Sequence, residues 1–345
     1  MIRKDLTHLP AYASGKSQTG CLKLASNETT QPPAPSAIKA AQQAAEHFNR
    51  YPDMGSWDLK EALAEHLNLP IEQIAVGCGS SALCQQMAQM TSLPGDEIIY
   101  AWRSFEAYPI FTRVTGATPV EVPLTEDYRH DLPAMAAAIT DRTKLIYLCN
   151  PNNPTGTTIS RAEFTEFMQQ VPKDVVVALD EAYGEFNDAE DTPNALEEIK
   201  NWPNLVGLRT FSKAYALAGA RVGYAFGAPE LIEALNKVCI PFSVAAGSGE
   251  AAIAALREQS LMQERIAITK GERERITREL GAVPSRTNFV WFPKGDSLPD
   301  PLAFGQKLLA EKVIVRPFPE GIRVTVTTPE ESEQLLAAWA KAQQS

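Results

Sequence analysis

Between Arg50 and Gly227 the chain repeats one alternation, a short unbroken apolar run followed by a stretch of helical periodicity. The runs are Glu97–Ala101, Pro119–Leu124, Lys144–Asn150, Val175–Asp180, Leu205–Arg209 and Val222–Phe226. Strings such as LIYLC and VVVAL lack polar alternation, so both faces of each strand must be buried. A mostly parallel sheet covered by helices meets that demand. Helical patterns fit between the runs at Asp58–Leu67, Ser81–Met90, Glu106–Thr115, Pro133–Ile139 and Ala162–Gln170, and Leu59, Leu63 and Leu67 share one stripe. The fold class is α/β. From about Gly249 the character changes. A long charged helical stretch to Leu280 precedes strands at Asn288–Phe292, Val313–Arg316 and Ile322–Thr327, with helices near Leu302–Glu311 and Glu330–Gln344. This reads as a smaller α+β unit. The expected divisions are an arm over residues 1–40, irregular around QPPAPS, a large domain over 41–245 and a small domain over 246–345.

Composition removes several classes of function. Thirty-two Lys+Arg against 42 Asp+Glu give a net charge of -10, which disfavours nucleic acid and anionic membrane as partners. The five cysteines are scattered, and Cys78 and Cys84 match neither a C-x-x-C nor a zinc-ligand spacing. With four scattered histidines, no metal site is expected. No apolar run approaches the roughly 18 residues needed to span a bilayer, and the opening residues lack the apolar core of a signal peptide. A cytoplasmic location is expected.

Four motifs stand at strand ends. GCGSSALCQQM begins at Gly77, and a helix starting at Ser80 or Ser81 would aim free N–H groups at an anion; a plain strand-to-helix turn has the same pattern. NPNNPTGT, Asn150 to Thr157, is a rigid loop in which Asn152 and Asn153 can offer amides to a cleft. In VVVALDEAY, Asp180 and Glu181 follow a buried strand and need a cationic partner or a capping role, with Tyr183 close by. In RTFSKAYALAGARVGYAFG, Lys213 lies between hydroxyl residues Thr210 and Ser212 and the later Arg221. That set suits an amine nucleophile beside a phosphate, although a lone lysine is ordinarily solvated.

Taken in order, NNPTG, LDEAY and FSKAYALAGARVGY resemble the fold-type I enzymes that depend on pyridoxal 5′-phosphate (PLP). More narrowly, they resemble class I/II aminotransferases of the histidinol-phosphate aminotransferase type. The resemblance runs through SNE near Asn27, RYPD at Arg50 and GIRVTVTTPEE, and so covers almost the whole chain. It implies a large PLP-binding domain and a small domain, with the arm packing on the small domain and the substrate site. It also implies that Lys213 attaches PLP covalently and then moves the proton, that Asp180 pairs with the pyridine nitrogen, and that Asn153 and Tyr183 bond the ring hydroxyl. Ser80, Ser81, Thr210, Ser212 and Arg221 would hold the phosphate, and Phe105 would stack on the ring. Tyr51 would reach the phosphate from the second subunit of a homodimer; read without the family, it is equally a core or surface aromatic.

For the substrate, Ile322, Val324 and Val326 share one strand face, so Arg323 points to the other. An Arg on such a strand is commonly solvated, whereas the family uses it to grip an α-carboxylate or a phosphate. Arg316 in VIVRPF is a second candidate, and Tyr12 and Asn27 fall where the arm of relatives covers the substrate. The chain departs from many relatives in reading SNETTQPP rather than SNENP. GCGSSALCQQM and WRSFEAYPIF resemble the actinobacterial branch of aromatic amino acid aminotransferases. The expected reaction moves the amino group of Phe, Tyr or Trp to 2-oxoglutarate by a ping-pong mechanism. Histidinol phosphate is the alternative donor, and a threonine-phosphate decarboxylase is a third reading on the same fold. A PLP-binding transcription regulator would need a DNA-binding module, and the chain has no basic segment for one.

Overall fold

The computed structural model describes residues 17–344. Its centre is a seven-stranded sheet built from β2 (Ile74–Gly77), β3 (Glu97–Trp102), β4 (Thr118–Pro123), β5 (Thr143–Cys149), β6 (Val176–Asp180), β7 (Leu205–Thr210) and β8 (Gly223–Gly227). Their spatial order is β2-β8-β7-β6-β5-β3-β4, and β8 alone runs antiparallel to its neighbours. An antiparallel neighbour needs no crossover helix. A loop therefore suffices to join β7 to β8, and that loop carries Lys213 and Arg221. Strand β2, with only four apolar residues, escapes the sequence pattern and is fixed by its pairing to β8.

The unbroken apolar runs do what their composition demands. Along β3, Ile99 and Ala101 join one core while Ile98 and Tyr100 join another; Ile146/Leu148 and Leu145/Tyr147 divide in the same way on β5. Each fully buried Leu, Ile or Val contributes about 1.5–3 kcal/mol relative to exposure. Both sheet faces are thus covered. The helices are α1 (Pro35–Ala45), α2 (Trp57–Leu67), α3 (Ser80–Thr91), α4 (Tyr108–Thr115), α5 (Leu132–Ala137), α6 (Arg161–Gln170), α7 (Ala195–Glu198) and α8 (Pro229–Lys237), followed by α9 (Ala246–Leu256) and α10 (Gln259–Leu280). Helix α6 opens with a capping box, in which Ser160 and Glu163 satisfy each other's backbone amides.

The long charged stretch of the sequence is two helices, broken at Arg257 and Glu258. Ala251, Ala252 and Ala255 of α9 pack into the core under α1 and α2, and the first part of α10 follows through Met262 and Ile266. From Ile276 onward the side chains belong to a third core. That core fills an antiparallel sheet in the order β11 (Arg316–Phe318), β12 (Gly321–Thr325), β9 (Phe289–Pro293), covered by α11 (Pro301–Ala310) and α12 (Pro329–Gln344). The Trp339 ring anchors it, 4.3 Å from the Phe292 ring and 4.8 Å from that of Phe304. A short parallel pair, β1 (Leu22–Lys23) with β10 (Val313–Ile314), ties the arm to this unit, and Leu24 enters its core. Among the described residues no helix is long and apolar enough to cross a membrane.

Candidate active site

The carboxyl ends of β5, β6 and β7 open onto a cavity of about 490 Å³, the usual place for a ligand in an open α/β sheet. Ser80, Ser81, Phe105, Asn153, Asp180, Tyr183, Thr210, Ser212, Lys213 and Arg221 all line it, as do Asn27, Arg316 and Arg323. Tyr51 does not. It is 83% exposed and stacks on Phe242, with ring centroids 4.7 Å apart. Tyr12 lies outside the described residues.

The strand pleat decides what each carboxylate of LDEAY does. Asp180 leaves β6 on the same face as Val176 and Ala178 and sits opposite Cys149 in register. It is buried, and its oxygens accept from the Tyr108 hydroxyl at 2.7 Å, the Ala182 amide at 3.1 Å and the Cys84 thiol at 3.9 Å. Among the described residues no Lys or Arg forms an ion pair with it. Burial raises its carboxyl above the usual range, while the Tyr108 and Ala182 donors pull it back. Glu181 points the other way. It accepts from Arg209 and from the Ala195 amide at 2.8 Å, a closed ion pair away from the cavity. The cation required by LDEAY is therefore supplied for Glu181 and left open for Asp180.

Lys213 follows β7. Its Nζ donates to the Ser26 carbonyl at 3.1 Å and stands 5.9 Å from the centre of the Tyr183 ring. Burial lowers its pKa to about 7, with further depression from Arg323 and Arg221 against an opposing pull from Glu28. An amine so placed is unprotonated in a substantial fraction near neutrality and available as a nucleophile.

Beside it is an anion cradle. Helix α3 begins at Ser80, and Arg221 donates to the Ser212 hydroxyl at 3.2 Å and the Ser81 hydroxyl at 3.4 Å; Thr210 and Ser212 bond each other at 3.0 Å. Gly79 has φ +79°, and a Cβ there would overlap the Arg221 guanidinium; a Cβ on Gly223 would overlap the Ser80 amide. Both glycines let Arg221 and β8 approach the helix start closely.

The NNPTG loop divides its two amides. Asn153 faces the cavity, and its Oδ1 accepts from Arg323 at 2.6 Å. Asn152, expected as a second donor to the cleft, is turned into the loop instead. It bonds Ser104, the Arg103 carbonyl, Thr155 and His130, which spends both ends of its amide on holding the loop. Asn27 donates to the Tyr183 hydroxyl at 2.8 Å and is fixed in turn by Thr325 and Asn288. Burial raises the Tyr183 phenol, opposed by Arg323 and Asn27.

The far wall belongs to the three-stranded antiparallel sheet. Arg323 and Arg316 are cross-strand partners on β12 and β11. Arg323, nearly buried at 7% exposure, also donates to the Ala25 carbonyl at 2.7 Å. Arg316 grips the Glu106 carboxylate, with contacts of 2.8, 2.9 and 3.3 Å. Phe105, Ile110 and Phe111 form the apolar side. Sequence reasoning missed Tyr108 and Glu106, although both lie within the WRSFEAYPIF string read for Phe105. It also missed the Ala25 and Ser26 carbonyls, which carry no side-chain signal. Among the described residues no cluster of His, Cys, Asp and Glu suits a metal ion.

The chain is similar to known proteins along most of its length. The family model described as aminotransferase class I and II matches residues 19–338. The aromatic amino acid aminotransferase of Corynebacterium diphtheriae is 57% identical over 98% of both chains, and that of Nocardia farcinica is 53% identical over 97% of this chain and 95% of its own. Among solved structures, histidinol-phosphate aminotransferase from Sinorhizobium meliloti, in complex with PLP, superposes with a TM-score of 0.90 at 30% identity, covering 99% and 97% of the two chains. The pleat-sorted carboxylates, the lysine loop and a family match across nearly the whole described length lead to one assignment: the chain belongs to the class I and II aminotransferases.

Proposed function

We propose that the protein is a PLP-dependent aminotransferase that takes its amino group from an aromatic amino acid and works as a homodimer. The observation that carries this reading is Asp180, a buried carboxylate with no cationic partner among the described residues, in one cavity with the Lys213 amine. A protonated pyridine ring supplies the missing charge. The donor set fits the rest of the cofactor: Ser80, Ser81, Thr210, Ser212 and Arg221 for its phosphate, Phe105 against the ring, and Asn153 and Tyr183 for its hydroxyl. When bound, PLP supplies a carbonyl that captures amines and a ring that withdraws electrons from the donor's Cα. Lys213 would hold the carbonyl between turnovers and move the proton at Cα, because burial lowers its amine to about 7 and leaves part of it unprotonated near neutrality. Arg323 orients the donor's carboxylate. Asp180 keeps a proton on the ring nitrogen.

The aromatic preference rests on the apolar side formed by Phe105, Ile110 and Phe111 and on the relatives' names. Dimerisation is supported by the exposed large apolar side chains Phe48, Tyr51, Met54, Trp57, Ile240 and Phe242, of which Tyr51 and Phe242 stack on each other. Tyr51 would then complete the neighbouring cavity. Sedimentation that finds only monomer at micromolar concentration contradicts this part of the reading.

The decisive experiment compares kcat/KM for L-phenylalanine and for histidinol phosphate, each with 2-oxoglutarate, in the PLP-loaded protein. Phenylalanine is expected to be the better donor, with parallel double-reciprocal lines. Lys213→Ala is expected to reduce turnover by at least about a thousandfold. A preference for histidinol phosphate overturns the aromatic assignment, and full activity in Lys213→Ala overturns the role of the lysine.

A further inference from the structure

Two arginines face the cavity from adjacent strands, and they are not equivalent. Arg316 and Arg323 are directly opposite in the β11–β12 pairing, so both side chains leave one face of the small sheet, and both line the cavity. Arg323 donates to two uncharged groups, the Asn153 amide oxygen and the Ala25 carbonyl. Arg316 is held by both oxygens of the Glu106 carboxylate. Glu106 comes from the large domain, between Phe105 and Ala107 on the approach to α4, next to the apolar side of the cavity.

We propose that Glu106 is a specificity-determining residue. By occupying Arg316 it removes the second cation from the cavity and restricts donors to those with one anionic group and an uncharged far end. Donors that end in a phosphate dianion are excluded. The proposal rests on the aminotransferase reading and deepens it. A phosphate entering this wall has two courses. It can break a bidentate, charge-assisted pair to reach Arg316, or it can stand beside the Glu106 carboxylate and be repelled. A carboxylate on Arg323 with an aromatic ring among Phe105, Ile110 and Phe111 meets neither obstacle. Discrimination is achieved here by opposing the wrong donor as much as by attracting the right one.

The test uses the PLP-loaded wild type, Glu106→Gln, Glu106→Asp and the double variant Glu106→Gln/Arg316→Gln. It reads the ratio of kcat/KM for histidinol phosphate to that for L-phenylalanine. Glu106→Gln should move the ratio about tenfold or more toward the phosphate donor. Glu106→Asp, which keeps the charge, should stay within about threefold of wild type, and the double variant should lose the gain. Binding of phenethyl phosphate against 3-phenylpropionate, followed by the cofactor's absorbance, gives the same comparison without turnover. A ratio unmoved in Glu106→Gln overturns the proposal, and so does a parallel fall for both donors, which marks the pair as a domain clamp. If wild type transaminates neither donor, the aminotransferase reading fails instead, and the binding comparison still decides the role of Glu106.

Discussion

The floor and the far wall of the cavity are built on opposite principles. The floor comes from the ends of buried parallel strands, and its key groups are left out of balance: Asp180 has no cationic partner among the described residues, and the Lys213 amine is pushed down to about 7. The wall comes from the small antiparallel sheet and is held by its own contacts, with Arg316 paired to Glu106 and Arg323 donating to Asn153 and the Ala25 carbonyl. Reaction chemistry needs groups whose charge must be completed by what binds. Recognition needs groups held still until a ligand of the right charge displaces a weak contact.

Three measurements break or sharpen that contrast. The largest effect is expected at the floor. Asp180→Asn should lower kcat by about a hundredfold or more, because the ring nitrogen loses its counter-charge. A change below about threefold would mean that the unbalanced carboxylate is merely structural. At the wall, Arg323→Ala should lower kcat/KM for the donor by about ten- to a hundredfold, mainly through KM, with PLP still retained. Loss of the cofactor would instead make Arg323 part of the floor. The smallest effect joins the two regions. The rate at which the apoprotein captures PLP should rise with pH around a midpoint near 7, since the protonated amine is inert below it. Arg323→Ala should move that midpoint upward, toward the ordinary 10.5, by removing one of the charges that depress it. A midpoint already near 10.5 in the wild type would show that neither burial nor the wall acts on the lysine.

The floor was readable in the sequence because each of its groups follows a strand run directly: Asp180 after VVVAL, and Lys213 and Arg221 in the one loop after LVGLRT. What a string cannot convey is how a pleat divides neighbours. Asp180 and Glu181, or Asn152 and Asn153, are equivalent as letters and go to opposite ends of the chemistry once their backbone direction is fixed. The wall is less readable because its contacts join remote segments: Arg316 with Glu106, Asn27 with Tyr183, Lys213 with the Ser26 carbonyl. The large sheet's α/β character followed from its apolar runs, whereas β2 is too short for a pattern and exists through its pairing with β8. The break between α9 and α10 carries neither Gly nor Pro, and so gave no signal in the sequence.

The β1–β10 pairing also sets an order of events during synthesis. Leu22 and Lys23 leave the ribosome long before their strand partners Val313 and Ile314. The seven strands of the large sheet are all present once Gly227 has emerged. A nascent chain can therefore complete the floor with Lys213 exposed, while the Ser26 carbonyl that receives it waits for a partner strand. The segment from Val313 onward anchors that carbonyl's strand, and a chain cut short before Val313 would leave the Lys213 amine without its fixed acceptor.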